Sequence, residues 1–240
     1  LCRETWRLDM LSADGQRTLP FAAYGGQKML VAYPTAGMDH ERKEMSLRGN
    51  NVHFSRIVTP HELIPGHHLQ GYMAQRYATW RSAFRTPFLT EGWALLWKML
   101  FWDEGYARGP EDRIGMLFWR MHRCARILVS LRFHLGQTTT QEMIDFLVER
   151  VGHERDGATA EVRRYVAGDY GPLYQCAYMV GGLQLRALYG ELVGGGRMGA
   201  RAFHDAVLAQ GPIPVELIRV RLGGHAVGRD WRPTWRFAGN

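Results

Sequence analysis

A proline–glycine pair inside a histidine-rich helical stretch strongly limits how this 240-residue chain can fold. The segment is His61-Glu62-Leu63-Ile64-Pro65-Gly66-His67-His68, and it lies within a helix candidate that covers 57–80. Pro65 has no amide hydrogen to donate to the carbonyl of His61, and its ring clashes there. Gly66 can adopt backbone angles that other residues avoid. We therefore predict that the helix is broken at Pro65-Gly66.

The same segment carries a candidate metal site. Two histidines, Glu62 beside the first of them and a further glutamate at position 91 match the residues with which zinc hydrolases hold their metal and activate water. In an unbroken helix His61 and His67 would be separated by ~9 Å of rise and ~120° of rotation, and His68 by ~10.5 Å. Two nitrogens on one zinc lie roughly 3.3 Å apart. A break that loops out two residues would let His67 replace the usual second ligand. A helix kink and cap without metal is the alternative interpretation.

Composition and local sequence patterns together predict one mainly α (α+β) domain. Hydrophobic residues make up 46% of the chain, which is enough to build a core and excludes a disordered protein. We expect a single domain over residues 1–240, with the metal core at 55–222. A small β element near the start is predicted as a hairpin of 18–24 and 28–33 around Gly25-Gly26.

Helices are predicted for most of the remaining chain. Thr86 and Pro87 form an N-terminal signal for a helix that must be buried on most faces. The stretch 34–51 is polar and has no clear period. From apolar spacing and capping signals, we predict helices at 57–80, 87–102, 113–135, 143–151, 159–166, 173–192, 200–209 and 215–222.

Several classes of protein are excluded or disfavoured. The chain has no run of ~20 apolar residues, so we expect no membrane span. Its three cysteines are too few and too scattered for a disulfide framework or a CxxC zinc knuckle. The net charge is +7, but it comes almost entirely from dispersed arginines, so we expect no nucleic-acid partner.

The chain lacks a start Met and a signal-peptide pattern, so we expect it to be the C-terminal part of a longer protein. Cytoplasmic, periplasmic and secreted locations stay open, as does the oligomeric state.

The metal motifs resemble a known bacterial family. The segment 61–70, His-Glu-Leu-Ile-Pro-Gly-His-His-Leu-Gln, and the segment 91–94, Glu-Gly-Trp-Ala, resemble the signature of domain-of-unknown-function family 885. The resemblance continues through Pro172, Tyr178-Met179-Val180-Gly181 and Phe203-His204-Asp205, and it covers most of 55–222. It implies a zincin metallopeptidase of gluzincin type. Family members are about twice as long as this chain and carry an additional helical N-terminal half.

The resemblance implies a role for each motif residue. His61, His67 and Glu91 correspond to the ligands of one zinc ion, and Glu62 to the general base. His68 stands where family members vary, so His67 is preferred, although the spacing alone leaves both open. Tyr178 and His204 are the candidate donors for the oxyanion of a tetrahedral intermediate, which zincins stabilise opposite the metal. The alternative for Tyr178 is a core aromatic residue.

These observations predict a zinc-dependent metallohydrolase that cleaves peptide bonds. The expected partner is a peptide or small amide substrate. An edge strand before residue 35 could align an extended peptide by main-chain pairing. Two alternatives stay open: a hydrolase of non-peptide amides, which has the same ligand set, and a non-catalytic binding module that retains the fold. A binding module has no need of Glu62, which argues against it.

Overall fold

The protein is described by a computed structural model for residues 6–26 and 28–238. Residues 1–5 lie outside these ranges. They include Cys2 and the start of the chain that we expected to be truncated. The described chain is mainly helical with one small sheet, as predicted. The strands are β1 (Arg7–Met10), β2 (Ala22–Tyr24) and β3 (Lys28–Val31). The helices are α1 (His40–Gly49), α2 (Val52–Glu62), α3 (His67–Ala74), α4 (Pro87–Asp103), α5 (Pro110–His134), α6 (Thr140–Phe146), α7 (Arg155–Val166), α8 (Tyr174–Tyr189), α9 (Ala200–Leu208) and α10 (Val215–Gly223).

The small sheet contains the predicted hairpin and one unpredicted strand. β2 and β3 pair antiparallel, with Ala23 opposite Leu30. β1 pairs parallel with β3, so the strand order is β1-β3-β2 and β2 lies at one edge. The sequence did not predict β1 because its apolar residues are not buried: Leu8 is 72% exposed and Met10 is 63% exposed. A strand without a buried face lacks the alternating pattern that reveals strands.

The polar stretch before residue 52 contains an unpredicted helix, α1. Its N-cap is Asp39, whose side chain accepts a hydrogen bond from the amide of Arg42. No residue of α1 is buried, so no apolar stripe with a helical period could mark it in the sequence. Two ion pairs attach the helix to the residues at the start of α7, Arg42–Asp156 and Arg48–Glu154.

The helix α4 begins as predicted and forms the centre of the fold. The side chain of Thr86 accepts a hydrogen bond from the amide of Phe88, and Pro87 occupies the first turn. Most of α4 between Leu89 and Leu100 is buried. One hydrophobic cluster joins α4 to α8, α9 and α10, while a second joins α2, α5, α6 and α7. Members of both clusters line the cavity that contains the candidate site.

No described helix combines the length and apolar character needed to cross a membrane. Cys124 and Cys176 are both free thiols.

Candidate metal centre

The predicted break in the helix brings two histidines together. α2 ends at Glu62 and α3 begins at His67. In the turn between them, a Cβ atom on Gly66 would lie 1.8 Å from the carbonyl oxygen of His61, so only glycine permits this close return of the chain. The ring centroids of His61 and His67 are consequently 4.8 Å apart.

Glu91 of α4 completes a compact group with these histidines. The Nε2 atom of His67 lies 3.3 Å from Oε2 of Glu91. One ligand atom from each of His61, His67 and Glu91 can be chosen so that all three lie within 4.8 Å of one another. The spacing alone left His67 and His68 open, the family resemblance favoured His67, and the structure places His67 in the group. The ring of His68 instead accepts or donates a hydrogen bond with the Tyr24 hydroxyl at 3.0 Å.

Without a metal, a proton on His67 supplies the positive charge of the group. Burial by itself would lower the pKa of His67, but the neighbouring Glu91 raises it above its usual value, and a bound metal ion would displace this proton. Burial lowers the pKa of His61 well below its usual value, which favours the neutral imidazole that metals require. Burial by itself would raise the pKa of Glu91, but the charge of His67 and the hydroxyl of Tyr174 lower it to about 2. Glu91 is therefore an ionised carboxylate at neutral pH.

The side chains of His61, His67 and Glu91 are suitable ligands for a zinc ion. Among the described residues, Oε2 of Glu91 makes no hydrogen bond of good geometry, and its close polar neighbour is Nε2 of His67 at 3.3 Å. If His67 binds a metal through this nitrogen, it has no proton to donate, and Oε2 then depends on the cation. A buried carboxylate oxygen without a donor is costly unless a cation lies beside it. Two imidazoles and one carboxylate are also the ligand set of zinc sites that keep a fourth position open for water. His61, His67 and Glu91 can therefore hold a zinc ion.

Glu62 lies beside the group without belonging to it. Its Oε1 atom is 4.0 Å from Nε2 of His61. Burial raises the pKa of this carboxyl group above its usual value, and the neighbouring Glu91 raises it further. A carboxylate with a raised pKa is a better proton acceptor, as a general base requires.

A second layer of hydrogen bonds holds the group in place. The hydroxyl of Tyr174 donates to Oε1 of Glu91 at 2.6 Å. The indole Nε1 of Trp93 donates to the carbonyl of Pro65 at 2.8 Å and so ties α4 to the turn between the histidines. Sequence reasoning missed Tyr174. The sequence feature that could have identified it is its position four residues before Tyr178, which places both tyrosines on one face of a helix.

Tyr178 lies in the same cavity as the three candidate ligands. Its side chain is buried, and its ring is 5.9 Å from the ring of Tyr174. Burial raises the pKa of Tyr178 to about 12, so the hydroxyl keeps its proton at neutral pH and can donate it in a hydrogen bond. The guanidinium of Arg126 lies 4.1 Å from the ring centroid.

His204 has different surroundings. Its ring stacks on Trp97 at 4.4 Å between centroids and contacts the edge of Trp93 at 5.7 Å. Burial lowers the pKa of His204 to about 4, so the ring is neutral at neutral pH. Within the described chain, it is not among the residues that line the cavity of the candidate ligands. The structure therefore brings Tyr178, but not His204, to this cavity.

The cavity has a volume of about 450 Å³. One wall carries His61, Glu62, His67 and Glu91, and β2 lines another part through Ala22, Ala23 and Tyr24. A third part is arginine-rich. This volume falls within the range of small-molecule and cofactor sites.

The fold and site define a mainly helical protein with a buried cluster of two histidines and one glutamate beside an edge strand. The chain belongs to the family described as bacterial protein of unknown function (DUF885), whose profile matches residues 29–222. The predicted family is therefore confirmed. No curated protein matches the sequence.

Two solved structures share this fold. The first, titled "putative lipoprotein from Colwellia psychrerythraea", has a TM-score of 0.78 and 22% identity over 92% of this chain. The second, "a putative lipoprotein of unknown function from Shewanella oneidensis", has a TM-score of 0.70 and 24% identity over 91% of this chain. The chain spans only 38% and 40% of the length of these two proteins.

Proposed function

We propose that the protein is a zinc-dependent hydrolase with a zincin-like site that cleaves peptide bonds. The observation that carries this proposal is the convergence of His61, His67 and Glu91 in one cavity with Glu62. This combination supplies three ligands and a separate base, and the base would be superfluous in a protein that only bound metal. The proposal rests on the geometry of this chain, because its family and its structural neighbours are described as proteins of unknown function.

His61, His67 and Glu91 would hold the zinc ion. When bound, zinc lowers the pKa of a water molecule and polarises the substrate carbonyl. Glu62 accepts the proton of the attacking water and later transfers it to the leaving amine. Its raised pKa makes the carboxylate a better base for water, and the carboxylic acid can still protonate the more basic leaving amine.

The position of β2 supports an extended peptide as the substrate. β2 is an edge strand, and in the described part of the chain it pairs with β3 alone. Its residues Ala22 and Ala23 line the cavity that contains the candidate ligands. A peptide that adds to this edge would be bound by its main chain, which is the mode used by many peptide-binding proteins.

Tyr178 is the proposed donor to the oxygen that becomes negatively charged as the carbonyl is attacked. It is protonated at neutral pH and lines the cavity, and both properties support this role. His204 packs on Trp97 outside the cavity, and we assign it no step in the reaction.

The proposal is tested by elemental analysis and peptide cleavage. Protein purified without added metal should contain close to one zinc per chain and should cleave peptides from an unbiased mixture. A chelator should remove both the zinc and the activity, and stoichiometric zinc should restore them. Stoichiometric zinc without cleavage of any peptide would contradict the peptidase proposal, and cleavage of non-peptide amides alone would identify the other hydrolase class. Cleavage that survives complete removal of metal would overturn the zinc assignment.

A further inference from the structure

The cavity has an arginine-rich wall that the proposed chemistry does not use. Arg123 and Arg126 come from α5, and Arg164 comes from α7. Arg126 is 1% exposed and Arg123 is 7% exposed, although both line the cavity. Arginines are rarely buried to this degree unless they are paired. Their surroundings therefore show whether the protein itself neutralises them.

Glu161 is the carboxylate that this wall contains, and it is shared by many donors. It lies 3.5 Å from Arg126 and 3.0 Å from Arg164. It also accepts a hydrogen bond from the Tyr165 hydroxyl at 2.6 Å, and it lies 3.3 Å from Nε2 of His122. One carboxylate therefore faces two guanidinium groups and two further polar side chains, so the wall retains positive charge.

Arg123 has no carboxylate of its own within the described chain. Its guanidinium lies over the rings of Trp119 and Tyr178, at 5.2 Å and 4.8 Å from their centroids. The Nε atoms of Arg123 and Arg126 are both buried without a hydrogen-bond partner among the described residues. Aromatic rings offset part of the cost of burying a cation, but they do not replace an oxygen acceptor. Within the described residues, the wall therefore offers no acceptor to the Nε atom of either arginine and no paired carboxylate to Arg123.

The arginine wall is adjacent to the candidate metal centre. Arg126 contacts Tyr178, which contacts Tyr174, and Tyr174 donates to Glu91. The charge of Arg126 contributes to the low pKa of Glu91, and that of Arg123 opposes the raised pKa of Glu62. Because Glu62 and Glu91 are committed to the metal centre, neither is free to neutralise Arg123. An anion bound at the wall would lie next to the bond that is cleaved.

We propose that Arg123 and Arg126 bind a carboxylate group of the substrate. Guanidinium groups match carboxylates in geometry and bind them through paired N–H donors. The inference rests on the proposed hydrolase function and specifies its substrate class as short peptides with a carboxylate close to the cleaved bond. That carboxylate is either the C-terminal α-carboxylate, as in a carboxypeptidase, or an acidic side chain.

Calorimetric titration with small probes tests this site separately from catalysis. The three probes are N-acetylalanine, N-acetylalanine amide and the α-amide of N-acetylglutamic acid, titrated into the zinc-loaded protein and the chelated protein. We expect one carboxylate probe to bind about 10- to 100-fold more tightly than the neutral amide, because a charge-assisted interaction is lost in the amide. Preference for N-acetylalanine identifies the α-carboxylate, and preference for the glutamic acid derivative identifies a side chain. Equal affinity for all three probes would overturn the proposal.

Variants connect the binding to the wall. Arg123→Gln should weaken the preferred carboxylate by about 10- to 100-fold and leave zinc content unchanged. Arg123→Lys should retain part of the affinity, because the charge remains but the paired donors do not. Arg201→Gln is the matched control, since Arg201 is exposed on α9. Arg123 is the better test than Arg126, because it has no ion pair whose loss would unfold the protein. Unchanged carboxylate affinity in Arg123→Gln would refute the assignment.

The two proposals fail in different ways. Carboxylate binding that depends on Arg123, without hydrolysis of any peptide, would contradict the hydrolase proposal and its substrate class. Zinc-dependent cleavage of free-acid and C-terminally amidated neutral peptides at equal rates, with no gain from an acidic residue, would contradict the carboxylate site alone.

Discussion

Gly92 of α4 and Gly181 of α8 are in direct backbone contact. A Cβ atom on Gly92 would lie 2.4 Å from the carbonyl carbon of Gly181, and one on Gly181 would lie 1.9 Å from the carbonyl oxygen of Phe88. Such distances require glycine at both positions. The close approach of α8 to α4 brings Tyr174 to Glu91, so the two glycines position the second layer of the candidate metal centre.

The first prediction concerns this helix contact. Gly181→Ala should lower the free energy of unfolding by about 1–3 kcal/mol or more, because the added methyl forces the two backbones apart. It should also weaken zinc binding, since Tyr174 moves with α8. The matched control is Gly190→Ala, where a Cβ would meet nothing within 4 Å. Denaturant titration and a zinc-chelator competition check both effects. A Gly181→Ala protein with native stability would show that the contact is not tight.

The second prediction distinguishes the neighbouring histidines. His67→Ala should abolish stoichiometric zinc binding, because it removes one of three ligands. His68→Ala should keep the zinc and lose only stability, since His68 contacts Tyr24. Elemental analysis of both variants after dialysis checks this. The reverse pattern would mean that the turn between α2 and α3 rearranges when metal binds.

The third prediction concerns the general base. Glu62→Gln should lower kcat by about 10²–10⁴-fold or more, because glutamine has the same shape but cannot accept the proton of water. Zinc content should stay at the wild-type value. Glu149→Gln, at an exposed position that follows α6, is the control for a general effect of charge. A Glu62→Gln protein that lost its zinc would instead identify Glu62 as a ligand.

The fourth prediction separates the two tyrosines of α8. Tyr174→Phe removes the hydrogen bond to Glu91 and should weaken zinc affinity by about 10- to 100-fold, as loss of an outer partner does in other metal sites. Tyr178→Phe should leave zinc affinity unchanged and lower kcat by about 10²–10³-fold. Metal competition and steady-state kinetics on both variants test the division of roles. Full activity of Tyr178→Phe would mean that this ring only fills the core.

The fifth prediction concerns His204 and pH. Because its pKa is near 4 in the folded protein and near 6.5 in the unfolded chain, the unfolded state binds the proton more readily between these values. The contribution of His204 to stability is therefore complete above pH 6.5 and is lost as the pH falls towards 4. His204→Phe keeps an aromatic ring against Trp97 and should make stability fall less steeply over this range. Its kcat should match the wild type, and a large loss of kcat would restore a catalytic role for His204.

Local signals predicted much of the helical fold but not its surface elements. The break at Pro65-Gly66 and the start of α4 at Thr86-Pro87 follow from short-range stereochemistry, which is visible in the sequence. Strand β1 and helix α1 were not predicted because neither has a buried face. Their positions depend on pairing with β3 and on ion pairs with the start of α7, and no local pattern records these partners.

The sequence by itself determined the chemical inventory of the candidate site: two histidines, two glutamates and a glycine where the chain must turn back. Only the tertiary structure decided which members of that inventory meet. It placed His67 rather than His68 beside Glu91, added Tyr174, brought Arg123 to the cavity and left His204 outside it. The physical reason is that a turn and a helix start are decided by neighbours in the chain. The site, in contrast, is decided by how closely α4, α5 and α8 pack, and that depends on contacts between residues far apart in sequence, such as Gly92 and Gly181.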